Sequence, residues 1–146
     1  MKKIFAVGIT AAVFAMSLTG CQGKASYKDG TYEGVSSVYE GDEEGNGDGY
    51  GVVSLTIKNG EVSECIFTTY QTDGTLKDEN YGKQNGEIAN ADFYNKAQRA
   101  VVAGGEYAKQ YAETGDLKEV DAISGATISY NEFKEAVDDA LKKAKA

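Results

Sequence analysis

The stretch GYGVVSLTIKNGEVSECIFTTYQ, positions 49–71, constrains the fold more than any other part of the chain. Val53, Leu55 and Ile57 alternate with Ser54, Thr56 and Lys58. That period of two turns one face toward a core and the other toward solvent. The run stops at Asn59-Gly60, the pair that best tolerates the positive φ angles of a type I′ turn. A second strand-like run, EVSECIFTTY, follows at once. The pattern predicts an antiparallel hairpin.

Around this hairpin the signals are weaker but ordered. YKDGTYEGVSSVYE, positions 27–40, carries an Asp-Gly turn signal followed by β-branched and aromatic residues, which predicts a first strand near Gly30–Val38. The loop EGDEEGNGDG, positions 40–49, spaces Asp42, Glu44 and Asn46 like the first half of an EF-hand loop. The twelfth position is Val53 and no flanking helix is predicted, so the match fails there and a solvated acidic turn accounts for the loop. From Asn90 the period changes. Phe93, Ala97, Ala100, Val101, Ala108 and Tyr111 predict an amphipathic helix reaching about Glu113 and ending at Thr114-Gly115. Asn90 or Asp92 is expected to cap its start, and Gly104-Gly105 to weaken or kink it. A last helix is expected after Ser129, whose spacing to Glu132 forms a capping box, with Phe133, Val137 and Leu141 on one face. The fold class expected is α+β, an antiparallel sheet with a central hairpin packed against two main helices. With no proline in the chain, its turns rest on Gly, Asn and Asp.

The first residues read as a leader. Lys2 and Lys3 precede the apolar run IFAVGITAAVFAM, and small residues lead to Leu18-Thr19-Gly20-Cys21. That ending resembles a bacterial lipobox, in which Cys21 becomes a lipidated N-terminus; an ordinary signal peptide with a coincidental cysteine is the plainer reading. The expected organisation is a signal peptide over 1–20, a lipid-anchored tether over 21–28 and one domain over 29–146, held at the extracytoplasmic face of the cell membrane. Loss of Lys2 and Lys3 takes the net charge from −8 to about −10, with all 23 acidic residues retained. Such a surface repels nucleic acid, so no nucleic-acid partner is expected. With Cys21 lipidated, Cys65 has no disulfide partner and reads as a small buried residue.

The chain has no histidine. That removes the usual general base, the Ser–His–Asp and Cys–His arrangements and the common zinc sites. What is left is carboxylate chemistry or an imported cofactor, and no carboxylate pair stands out. One segment does: DAISGATISYNEF, positions 121–133. Gly125 and Ala126 sit within a run of hydroxyls, Ser124, Thr127 and Ser129, just before the last helix. A helix start offers unpaired N–H groups and partial positive charge, a favourable seat for phosphate. Two readings stand side by side: a tight turn with an N-cap, or an attachment site for a phosphate-bearing cofactor.

DAISGATIS resembles the flavinylation motif of the FMN-binding domain family, which includes the C subunit of sodium-pumping NADH:quinone reductases. YKDGTYEG, GYGVVSLTIKNGEV and VDAISGATIS resemble, in that order, the small extracellular lipoproteins of the family, so the likeness spans most of residues 27–146. It implies that Thr127 carries one FMN through a phosphoester, with Ser124, Gly125 and Ala126 completing the motif and Asp121 and Ser129 flanking it. It further implies a flavin transferase that makes the bond from FAD, a membrane quinol or reductase as electron donor, and an extracellular acceptor. By this likeness the chain is a redox carrier rather than an enzyme with its own substrate. The rival is a lipid-anchored binding or sensing module holding noncovalent FMN or calcium. Tyr50, Tyr70, Tyr81 and Tyr130 are candidates for the wall of the flavin ring.

Overall fold

The structure, a computed structural model, describes residues 26–41 and 47–145. The leader, Cys21 and the calcium-like positions Asp42, Glu44 and Asn46 lie outside the described residues. Three strands form one antiparallel sheet in the order β1-β2-β3: β1 is Gly30–Val35, β2 Tyr50–Lys58 and β3 Glu61–Tyr70. The turn between β2 and β3 is the expected one, with Asn59 at φ 54° and Gly60 at φ 75°. In this sheet Leu55 pairs with Tyr32 on one side and Cys65 on the other. Two helices, α1 over Ala91–Thr114 and α2 over Thr127–Ala144, cover the face carrying Val53, Leu55 and Ile57. The fold is therefore α+β, with α1 against β3 and α2 against β1 and β2.

Small residues set how closely α2 seats. Along α2, Ala136, Ala140 and Ala144 are fully buried. A Cβ on Gly34 of β1 would fall 1.9 Å from the Ala136 carbonyl oxygen and 2.5 Å from the Ala140 nitrogen. Any side chain there would push helix and sheet apart. Carboxylates on the same helix then tie the sheet edge. Asp139 accepts the Val35 N–H at 3.0 Å, and Glu135 accepts the Ser37 N–H at 3.0 Å, the Ser37 hydroxyl and the Tyr39 hydroxyl at 2.5 Å. These bonds satisfy N–H groups that an edge strand otherwise leaves open. They also explain why β1 ends at Val35 rather than Val38. Beyond Val35 the backbone leaves the ladder for α2, returning to it only through Ser36 N–H to Gly51 O and the Tyr39–Gly49 bridge.

At α1 the expected cap is present: Asn90 Oδ1 accepts the Phe93 N–H at 3.1 Å, and Gly115 closes the other end at φ 66°. Gly104-Gly105, expected to weaken or kink α1, lies within one continuous helix. Gly104 is buried, and a Cβ on it would lie 3.2 Å from Phe67 Cδ1. The close approach of α1 to β3 uses that missing side chain, and packing holds a turn that propensity alone would weaken.

Candidate functional site

The segment between the helices is positioned by α1. The Tyr107 hydroxyl, on a ring with no exposed surface, accepts the Ile123 N–H at 3.0 Å and donates to the Ala126 carbonyl at 3.2 Å. Gln110 Oε1 accepts the Asp121 N–H at 2.8 Å, and the Tyr130 hydroxyl donates to Val120 O at 3.0 Å. Between these anchors the chain turns tightly, with Ala126 N–H bonded to Ile123 O at 3.1 Å and Gly125 at φ 81°. Asp121, Ser124, Gly125 and Thr127 are exposed, while Ala126 and Ser129 are buried.

The helix start differs from the expectation. α2 begins at Thr127, two residues before the predicted cap, and Ser129 lies within its first turn rather than ahead of it. Ala126 occupies the capping position, so no side chain caps the end, and no acidic residue lies in the first turn. Glu132 does not reach back as a capping-box partner; it is fully buried against the sheet. The first N–H groups of α2 are consequently directed out of the helix without a side-chain acceptor, and the exposed Thr127 hydroxyl stands beside them.

That end opens into a cleft of about 380 Å³ lined by Gly125 to Ser129, by Phe93, Lys96 and Arg99 of α1, and by Thr69, Lys77 and Tyr81. Arg99, the only arginine in the chain, lies against the motif. The position a Gly125 Cβ would take is 3.6 Å from both Arg99 Cδ and Nη1. Three cations around one cleft, in a chain of net charge −8, make a local site for an anion. Lys77 is 8 % exposed and Glu132 not at all, and each affects the ionisation of the other. Burial pushes the Lys77 ammonium down from its ordinary range, opposed by the charges of Glu132 and Asp48. Burial pushes the Glu132 carboxyl up, opposed by Lys77 and reinforced by Glu135.

Of the four tyrosines expected near a flavin ring, Tyr81 lines the cleft, with the Lys77 ammonium 5.1 Å from its ring centroid. The others are used elsewhere. Tyr50 and Tyr70 stack on each other at 5.4 Å, and Tyr130 packs 5.3 Å from Tyr107. Tyr130 stays beside the motif, its hydroxyl on Val120 O, but like Tyr50 and Tyr70 it does not line the cleft. The cations Lys77, Lys96 and Arg99 and the ring of Phe93 were missed. Spacing held a signal for part of this set, because Phe93, Lys96 and Arg99 follow one another at intervals of three along one side of a helix. Among the described residues no cluster of His, Cys, Asp or Glu is suited to a metal ion. Cys65, expected to be buried, is half-buried with its side chain packed against the core, and burial pushes its thiol up to about 12, away from the reactive thiolate form. Among the described residues no helix is long and apolar enough to cross a membrane.

Residues 22–142 match the family model described as the FMN-binding domain. The crystal structure of the CPE2226 protein from Clostridium perfringens shares the fold, with a TM-score of 0.57 at 22 % identity. The match covers 81 % of this chain and 88 % of that one. No curated protein matches the chain.

Proposed function

We propose, from the premise that the chain belongs to the FMN-binding domain family, that it carries one FMN esterified through its phosphate to Thr127 and serves as an electron carrier at the extracytoplasmic face of the membrane. The observation that supports this reading is the exposed Thr127 hydroxyl at the first position of an uncapped helix, at the mouth of a cationic cleft.

The residues present suit such a group. The N–H groups opening α2 and the Arg99 and Lys96 side chains bind and neutralise a phosphate. Gly125 keeps the backbone in a left-handed turn that leaves room for Arg99 beside it. Phe93 and Tyr81 offer aromatic surface to a ring. Tyr107 and Gln110 fix the segment so that the hydroxyl is presented at a set place. A bound flavin supplies the one- and two-electron chemistry that these side chains lack. The ester forms when a transferase directs Thr127 Oγ onto the FMN phosphorus of FAD: the new O–P bond replaces the bond to AMP, which leaves, and the hydroxyl proton passes to the transferase. Leu18-Thr19-Gly20-Cys21 supports a lipid anchor, and a membrane quinol or reductase and an external acceptor complete the relay.

Intact mass decides the matter. The chain from residue 22 onward is expressed with and without a flavin transferase, as native sequence and as Thr127→Ala. A gain of FMN minus one water, seen only with the transferase and lost in Thr127→Ala, is expected. No gain under conditions that flavinylate a known target overturns the covalent reading. Yellow protein that releases its colour on denaturation would favour the noncovalent binding module instead.

A further inference from the structure

Glu132 is fully buried, and neither of its carboxylate oxygens has a hydrogen-bond partner among the described residues. Lys77, the cation that offsets its charge, lines the cleft. The backbone at the start of β2 makes room for both side chains. A Cβ at Gly49 would fall 2.9 Å from Lys77 Nζ, and one at Gly51 would fall 3.1 Å from Glu132 Cβ. Lys77 Nζ therefore lies over Gly49 at the cleft, while Glu132 packs over Gly51. The charges of Asp48 and Glu135 also act on this pair, and Tyr81 and Tyr39 both feel the charge of Glu132. Lys77 is thus a cation set among acidic and phenolic groups.

Burying two opposite charges is a poor way to stabilise a fold, because apolar residues of similar volume do as well or better. An unpartnered carboxylate is worse still. A ligand-facing role accounts for the arrangement. Arg99 lies against Gly125 at the phosphate end, whereas Lys77 lies against Gly49 and Tyr81, so the two cations serve different parts of the cleft.

We infer that Lys77 is the cation facing the redox-active ring of the bound flavin, and that Glu132 is the positioning residue that holds its ammonium charged at the cleft wall. This rests on the flavin-carrier reading. Reduction adds negative charge to a flavin ring, so a fixed ammonium favours the reduced form over the oxidised one.

The test compares the flavin-loaded mature protein as native sequence, Lys77→Met, Lys77→Arg and the double variant Lys77→Met/Glu132→Gln. The double variant removes both buried charges and guards against misfolding of the single one. Potentials are read with dye mediators during stepwise reduction by dithionite. Lys77→Met and the double variant are expected to favour the reduced flavin about tenfold less, a potential lower by about 30 mV for a two-electron couple. Lys77→Arg keeps the native value. In the unloaded protein, lysine labelled with carbon-13 and nitrogen-15 is titrated by NMR, and Glu132→Gln is expected to move the Lys77 midpoint to lower pH. Unchanged potentials in Lys77→Met and the double variant, with the FMN mass intact, overturn the inference and leave the carrier reading standing. A Lys77 midpoint that stays fixed in Glu132→Gln overturns the positioning role. A native protein that never gains FMN overturns both readings together.

Discussion

The two long helices begin in opposite ways. At α1, Asn90 takes an extended backbone conformation, its side chain accepts the Phe93 N–H, and Asp92 places negative charge in the first turn. At α2, the capping position holds Ala126, no side chain accepts the free N–H groups, and the first turn has no acid. Every helix start poses the same problem of unpaired donors. One is closed by the chain's own side chains; the other is left open, with Arg99 alongside. The open end is tolerable because α2 is secured further along. Phe133, Ala136, Val137 and Ala140 are fully buried, Gly34 receives the helix, and Glu135 and Asp139 tie it to β1. An uncapped start that forgoes roughly 1 kcal/mol is small beside the burial of Phe133 and Val137, each worth about 1.5–3 kcal/mol.

The contrast can be broken at either end. The largest effect is expected from Gly125→Ala. Its new Cβ would meet Arg99 at an ordinary 3.6 Å, so the cost lies in the backbone, held at φ 81°. A left-handed alanine costs about 1–2 kcal/mol, and any relaxation of the turn moves Thr127. Both a lower melting temperature and reduced FMN loading by mass are expected; full loading would show that the turn geometry is dispensable. Next comes Asn90→Ala, expected to lose about 1 kcal/mol of stability in urea unfolding while loading stays complete. If loading fell with it, the two helix starts would not be separable in function.

The smallest effect is expected from Glu135→Gln, which loosens the body of α2 and leaves its open end alone. Hydrogen bonds from Ser37 and Tyr39 hold the Glu135 carboxyl below its ordinary value of 4.5. A depressed carboxyl contributes stability above its unfolded value, and that contribution is lost as pH falls through the folded one. The native chain should therefore lose stability below about 4.5, and Glu135→Gln should show a flatter acid limb in urea midpoints. An unchanged limb would mean that the tie carries little of the fold's pH dependence.

How far the sequence could be read depended on the range of the interaction. Asn59-Gly60, the alternation of β2, the Asn90 cap and the Gly115 stop are decided within a few residues, and each stands where the pattern put it. The motif Ser124-Gly125-Ala126-Thr127 was also visible, and it lies at the mouth of the cleft. The capping box at Ser129 was a valid local signal that lost. Tyr107 fixes Ile123 and Ala126, which lets the helix begin three residues early, and the sheet draws Glu132 inward. Gly104-Gly105 read as a weak point because propensity knows nothing of Phe67. Of the tyrosines expected from sequence, Tyr81 lines the cleft, which also recruits Phe93, Lys96 and Arg99 from α1 and Lys77 from the loop after β3.

By itself the sequence determined the α+β class, the hairpin, both ends of α1 and the residue types of the Ser124–Thr127 segment, because alternation, turn residues and caps act over short separations. Only the tertiary structure decided that α2 opens uncapped at Thr127, that three distant cations gather around it, and that Lys77 and Glu132 are both buried. Charge and burial depend on which surfaces meet, and that is settled only when helices and sheet have packed.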